Sequence, residues 1–200
     1  CISGDIDYTQ TIELIEQNFG SWEPNESLPE WTKIEEDPIE APIVSEVYGP
    51  DAEFMHLGFR FQGTSSEDFI KVRLIDFILN NAEAGLIDLN LKQKQVVLNA
   101  GSYLNNMNDY SVHMMYGNAK QNQSLEEVRD LLLEQLELVK KGEFEDWLLD
   151  AVITDFKKSA MSSLESNRSR ANRMVMAFTN DMDWSDYIQQ IDKMEKVTKE

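Results

Sequence analysis

Hydrophobic positions along the chain fall into three regimes. In "DIDYTQTIELIEQNFG", Tyr8, Ile12, Ile15 and Phe19 recur at helical spacing. Asp7 is placed to cap that helix with Gln10 three residues on, and Gly20 to stop it. "CISG" before it reads as the tail of a strand. "SWEPNESLPEWTKIEEDPIEAP" then loses all period and holds four of the chain's five prolines, Pro24, Pro29, Pro38 and Pro42. Proline removes a backbone donor and pushes its predecessor to extended conformations, so this is a linker. A structureless stretch of about twenty residues is unusual inside a compact domain and suits a tether between two. A strand tail and one helix cannot enclose a core. Residues 1–22 are therefore expected to be the terminal strand and helix of a preceding domain, 23–45 a Pro-rich acidic linker, and 46–200 a second domain.

The third regime is regular. "IVSEVYGPDAEFMHLGFRF" predicts a strand, an interruption at "GPD" and a second strand, in which Phe54, His56, Gly58 and Arg60 face away from Met55, Leu57, Phe59 and Phe61. "SSEDFIKVRLIDFILNN" predicts a helix opened by Ser65 with Asp68 three residues later, apolar on more than one face and hence buried. "AGLIDLNLKQKQ" reads as a shorter helix, and "VVLNAGSYLNN" and "YSVHMMYGNAK" as two strands of a hairpin turning at "NMND". The last eighty residues or so read as helices. Ser124 and Glu127 form a capping box ahead of a stripe of Leu125, Val128, Leu132, Leu136 and Val139 that ends at Gly142. A longer helix follows with Leu149, Val152, Phe156, Ala160 and Leu164 inside, then one over roughly 168–180, then one carrying Trp184, Ile188, Ile191 and Met194. Thr198 in "VTKE" reads as the cap of a further helix, so the second domain is expected to be truncated at its C-terminus.

Charge changes this picture more than composition does. Eighteen Lys and Arg stand against 37 Asp and Glu, a net charge of −19. Such a surface repels a phosphate backbone, which excludes nucleic acid as a partner. One local basic cluster, Arg168, Arg170 and Arg173, reads as a solvated helix face balancing nearby acids. No apolar run approaches the roughly 20 residues that span a bilayer. The single cysteine, Cys1, allows no internal disulfide.

Candidate chemistry is sparse. His56 and His113 both lie mid-strand, but two imidazoles fall short of the three protein ligands that zinc wants, so each is expected to be a structural histidine and no metal site is assigned. Gly85 lacks the Gly-rich repeat and trailing Lys-Ser of a phosphate loop and reads as a glycine permitting close packing. Glu35, Glu36 and Asp37 lack calcium-loop spacing. Met114, Met115, Met174 and Met176 read as core filling rather than a peptide groove. N-x-S triplets start at Asn25, Asn122 and Asn167 and matter only in a glycosylating pathway.

The order of these features resembles the pitrilysin/insulinase (M16) zinc metallopeptidases along essentially the whole chain. "SGDIDYTQTIELIEQNFG" resembles the strand and helix that end their catalytic domain; the part from the linker onward, above all "KKGEFEDWLLDAVITDFKKSAMSSLESNRSRANRM", resembles their non-catalytic second domain. The resemblance implies an α+β fold of the M16 and LuxS-like kind, a mostly antiparallel sheet with helices on one face. It implies a parent that binds zinc through an H-x-x-E-H motif and cleaves peptides or unfolded polypeptides in a chamber between two halves. That motif is absent here, so catalytic residues in this chain are none and substrate-binding residues unknown. Related domains hold substrate with an Arg followed by a Tyr; Lys92 and Asn99 stand at those positions, with Tyr103 nearby but out of register. Lys lacks the planar fork and Asn the phenol, which argues for a scaffold role. The implied partners are the missing catalytic domain, the other half of the parent and peptide substrates; the compartment is unknown from the sequence, with the bacterial periplasm or cell envelope favoured by the family's large bacterial members. The family also has members without the zinc motif that serve as structural or partner-binding subunits, and an unrelated binding domain is a third reading.

Overall fold

A computed structural model describes residues 1–30 and 32–199. Trp31, inside the expected linker, and Glu200, the last residue of the expected "VTKE" helix start, lie outside the described residues. The chain divides into two compact units, Cys1–Tyr48 and Gly49–Glu200.

In the first unit the helical pattern forms α1 (Tyr8–Phe19), and the Asp7 side chain accepts from the Gln10 amide at 2.8 Å, as the spacing predicts. Ile12, Ile15 and Phe19 remain exposed, and the Phe19 ring meets Trp22 edge-on. Cys1–Gly4 are not a strand, and neither are Ile43, Val44, Val47 and Tyr48, which correct two expectations. A strand exists through its ladder partners, and β-branched residues without one stay extended and exposed. Val47 and Tyr48 are each 92% exposed.

The second unit is α+β. β1 (Phe54–Gln62), β2 (Asn99–Asn105) and β3 (Tyr110–Asn118) form an antiparallel sheet in the order β1-β3-β2, with Leu57 and Ser102 both opposite Met115. The predicted alternation holds: Met55, Leu57 and Phe59 turn to the helices, and Phe54, His56 and Gly58 turn away. α2 (Glu67–Leu79) and α3 (Leu125–Lys140) cover the inner face. α4 (Asp146–Leu164) packs behind α2, and α5 (Asn167–Thr179), α6 (Trp184–Ile188) and α7 (Gln190–Met194) follow. Leu74, Leu79, Ile87, Met115, Val128, Leu132 and Met194 are almost wholly buried and knit the sheet, α2, α3 and α7 into one core. Among the described residues no helix is long and apolar enough to cross a membrane.

Local differences from the sequence pattern have local causes. α2 starts one residue later than expected, with Ser66 at its N-cap, because a turn from Gly63 to Ser66 precedes it; Asp68 pairs with Lys71 instead of capping. The capping box at Ser124 and Glu127 is present. The segment after Gly85 is a π-helical turn (Asp88–Lys92) wound around a buried acid. The last helix breaks at Gln189 into α6 and α7, which lets Met194 enter the core while Trp184 and Ile188 stay outside. Ala160 is half-buried and Leu164 exposed, so α4 leaves the core over its last turn. Lys199 Nζ donates to the Phe144 carbonyl at 2.6 Å and to Asp146 Oδ1 at 2.7 Å.

Gly85 serves close packing, as expected. A Cβ there would stand 2.6 Å from the Leu79 carbonyl oxygen and 2.8 Å from the Asn80 nitrogen, both backbone atoms that cannot rotate away. Gly117 likewise lets α3 reach the sheet, since its Cβ would meet Val128 Cγ1 at 2.4 Å. Gly85→Ala is expected to cost about 1–3 kcal/mol by overpacking, read as a lowered urea midpoint at unchanged slope. The Lys199 hydrogen bond, and then its charge, hold the Asp146 carboxyl below its ordinary range. The contribution of this exposed pair is complete above the ordinary Asp value of about 4 and is lost as the pH falls through the lower folded value. Lys199→Met is expected to move the Asp146 carboxyl midpoint up in an NMR titration.

Candidate functional site

α2 is an apolar helix with one acid on its buried side, Asp76, which is 7% exposed. A carboxylate there needs partners, because burial without hydrogen bonds costs several kcal/mol. Two strands supply them. Ser102 Oγ on β2 donates to Asp76 Oδ1 at 2.6 Å, and His113 Nε2 on β3 donates to the same oxygen at 3.0 Å. His113 is 2% exposed and forms part of the floor of an apolar cleft of about 470 Å³ lined by Phe59, Leu74, Ile78, Leu136 and Phe144.

The three residue types are those of a nucleophilic relay, but the order is wrong for one. A relay needs histidine between serine and acid, so that imidazole takes the hydroxyl proton. Here the acid stands between serine and histidine, so the Ser102 hydroxyl donates its hydrogen bond to the carboxylate and not to the imidazole. The arrangement fastens α2 to β2 and β3 and activates no nucleophile. This agrees with the reading of His113 as a structural histidine.

His56 lies opposite Tyr116, whereas His113 lies opposite Phe59. Positions 56 and 59 have opposite parity along β1, so the two imidazoles point to opposite faces of the sheet. They are not brought together. Among the described residues no group of three His, Cys, Asp or Glu is placed to hold a metal ion. On the open face His56 lies against the Phe54 and Tyr116 rings, with centroids at 5.4 and 6.3 Å, and Tyr103 lies 6.4 Å from Tyr116.

Lys92 is engaged within its own turn. Its Nζ pairs with Asp88 Oδ1 at 2.7 Å, while Asp88 Oδ2 accepts from the Asn81 and Ala82 amides. Asp88 is 2% exposed, so Lys92 balances a buried charge. Asn99 opens β2 opposite Asn118 and is exposed, on the same face as Tyr103. The remaining candidates are dispersed. Met115 is core, Met114 half-buried on the open face, and Met174 and Met176 exposed, which corrects the expectation that all four fill the core. Glu35, Glu36 and Asp37 are exposed, with Lys33 on Glu35 at 3.1 Å. Asn25, Asn122 and Asn167 are exposed. Arg168 is solvated as expected, but Arg170 and Arg173 are half-buried, a correction to the solvated-face reading; Arg170 donates to the Leu164 carbonyl at 3.0 Å.

Sequence reasoning missed Asp76, Asp88 and Asn81, whose side-chain oxygen accepts three amides, those of Glu83, Ala84 and Gly85. For Asp76 the signal was present: an acid inside "RLIDFIL" on a helix buried on several faces demands donors from elsewhere. Asp76→Ala removes the acceptor shared by Ser102 and His113 and is expected to cost about 3 kcal/mol or more. His56→Ala, on the open face, is expected to stay within about 0.5 kcal/mol. Urea unfolding of the two variants checks both, and comparable losses would contradict the assignment.

No curated protein matches the chain. Among solved structures, a protease from Helicobacter pylori superposes with a TM-score of 0.83 at 18% identity, over 98% of this chain and 48% of that one. The inactive peptidase domain of a predicted zinc protease from Bordetella parapertussis gives 0.64 at 13%, over 73% and 79%. The periplasmic protease PqqL from Escherichia coli gives 0.69 at 16%, over 98% and 22%. At these identities the likeness is one of fold. The chain thus spans about half of the Helicobacter protein and less of PqqL. The family model described as "Peptidase M16 inactive domain" matches residues 1–156, more than half of the chain. The chain belongs to the M16 peptidase family, in the part of it described as the inactive domain.

Proposed function

We propose that this chain is the non-catalytic scaffold and substrate-chamber portion of a zinc-dependent metalloendopeptidase that degrades peptides or unfolded polypeptides. The observation that carries this reading is the match of residues 1–156 to the inactive M16 domain. The bond-breaking water, its zinc and the H-x-x-E-H helix belong, on this reading, to a catalytic domain elsewhere in the parent. On this reading residues 1–22, although within the same family match, are the end of that domain, and the exposed apolar side of α1 supports this. Residues 23–45 are the tether, and the rest forms chamber wall. A periplasmic setting is favoured by the likeness to PqqL.

The chemistry of such a wall is mainly electrostatic. Residues 46–200 hold 26 Asp and Glu against 17 Lys and Arg, and this net charge of −9 concentrates cationic chains near the wall and repels acidic ones, with a reach set by the Debye length of about 8–10 Å at ordinary salt. In the intact parent, a basic peptide is expected to be cleaved with a higher kcat/KM than a length-matched acidic one, and the ratio is expected to shrink toward one as salt rises. Equal ratios at every ionic strength would overturn the charge argument. A parent sequence without H-x-x-E-H upstream of Cys1 would overturn the peptidase reading and leave a structural or partner-binding subunit.

A further inference from the structure

We propose that the cleft at the start of α2 binds the C-terminal carboxylate of a peptide. Such a site suits a peptidase chamber and a partner-binding subunit alike, so it does not depend on the reading proposed above. The cleft lies wholly within the second unit and has a volume of about 950 Å³. One wall is the turn Thr64–Glu67 that opens α2, and the other is drawn from Phe178 to Val197. Thr64 is 5% exposed, and its amide donates to the Met107 carbonyl at 3.2 Å, which anchors the backbone while the hydroxyl is left without a partner. The Ser66 hydroxyl is likewise buried and unpartnered. Ser66 is an N-cap, where a serine side chain ordinarily accepts from the amide two or three residues on. Ser124 and Ser166 do so at the starts of α3 and α5, and Ser66 does not. The amides of Glu67 and Asp68 have no acceptor among the described residues.

Two buried hydroxyls and two first-turn amides thus form one set of donors at the positive end of a 13-residue helix. Buried polar groups in folded chains almost always have partners, so orphans gathered on the wall of an open cleft point to an acceptor that arrives from outside. An oxyanion takes several hydrogen bonds at once and is favoured by the helix dipole, and the hydroxyl protons rotate to suit it. Lys196, on the other wall and without an acidic partner among the described residues, adds a cation. Lys71 and Lys193 line the cleft too, but Asp68 and Asp186 already hold them. Glu67, Asp181 and Asp183 border the same cleft and repel a dianion about twice as strongly as a monoanion, which selects a carboxylate over phosphate. Ile70, Met182 and Val197 give the cleft an apolar part for the side chain of the residue that bears the carboxylate. The volume lies at the upper end of the range of about 300–1,000 Å³ for small-ligand sites, which leaves room for the residues before it and favours a peptide terminus over a free small acid.

The test is an NMR titration of the intact chain with acetyl-Gly-Ala-Leu, its C-terminal amide, acetate and inorganic phosphate at constant ionic strength. The free-acid peptide is expected to shift the amide signals of Thr64–Asp68 saturably, and the amidated peptide to bind at least about tenfold more weakly, a difference of about 1.4 kcal/mol. The chain's net charge of −19 works against that order, so the preference reports the site and not the overall field. Thr64→Val and Ser66→Ala are each expected to weaken the free-acid peptide by about threefold to tenfold. Each is also expected to leave the urea midpoint of the free chain unchanged or higher, since it removes a hydroxyl that has no partner there. Should either variant fail to fold, the four wild-type titrations decide. Equal binding of the two peptides, acetate or phosphate binding as tightly as the free-acid peptide, or no saturable shift at Thr64–Asp68 would each overturn the proposal. A lowered midpoint with unchanged affinity in both variants would do the same, because it would make the hydroxyls structural.

Discussion

Asp76 is the point at which the second unit is tied together. One carboxylate oxygen accepts from Ser102 on β2 and from His113 on β3, at 2.6 and 3.0 Å, so a single helix residue fixes the position of two strands. Apolar contacts such as Leu74 and Met115 supply most of the favourable free energy of the core, but they are non-directional and tolerate small slides. A hydrogen-bonded acid in a low-dielectric interior does not, because a shift leaves a charge without its donors. It sets the register of α2 over the sheet.

That constraint also separates the two faces of the sheet. Ser102, His113 and Met115 point toward α2 and α3, while His56, Tyr103 and Tyr116 point away. A similar device recurs at the end of α2, where Asp88 gathers two amides and Lys92, and Asn81 gathers three amides more. These polar knots consume the groups that looked most like chemistry. His113, Ser102 and Lys92 are occupied in holding backbone and helix, in keeping with a domain of a peptidase family described as inactive.

Much of the framework was legible from periodicity. α1, the hairpin of β2 and β3, the capping box of α3 and the alternation of β1 follow from local rules of spacing and capping that act within a few residues. Less legible were the elements whose state depends on a distant partner. "CISG" and "IVSEV" have strand composition and no ladder, so they form no strand. The helix after Trp184 has one continuous stripe in sequence, yet it breaks because only its second half reaches the core.

The sequence by itself determined that the second unit is α+β, that no zinc signature lies within these residues, and that the surface is strongly anionic, because each of these is a property of residue order or count. Only the tertiary structure decided which polar groups meet. Asp76 and His113 are 37 residues apart, and Asn90 and Gln135 45, separations over which spacing carries no information and packing alone decides. Hydrophobic period places a side chain on a face; what lies opposite that face is settled by how the helices and strands are stacked.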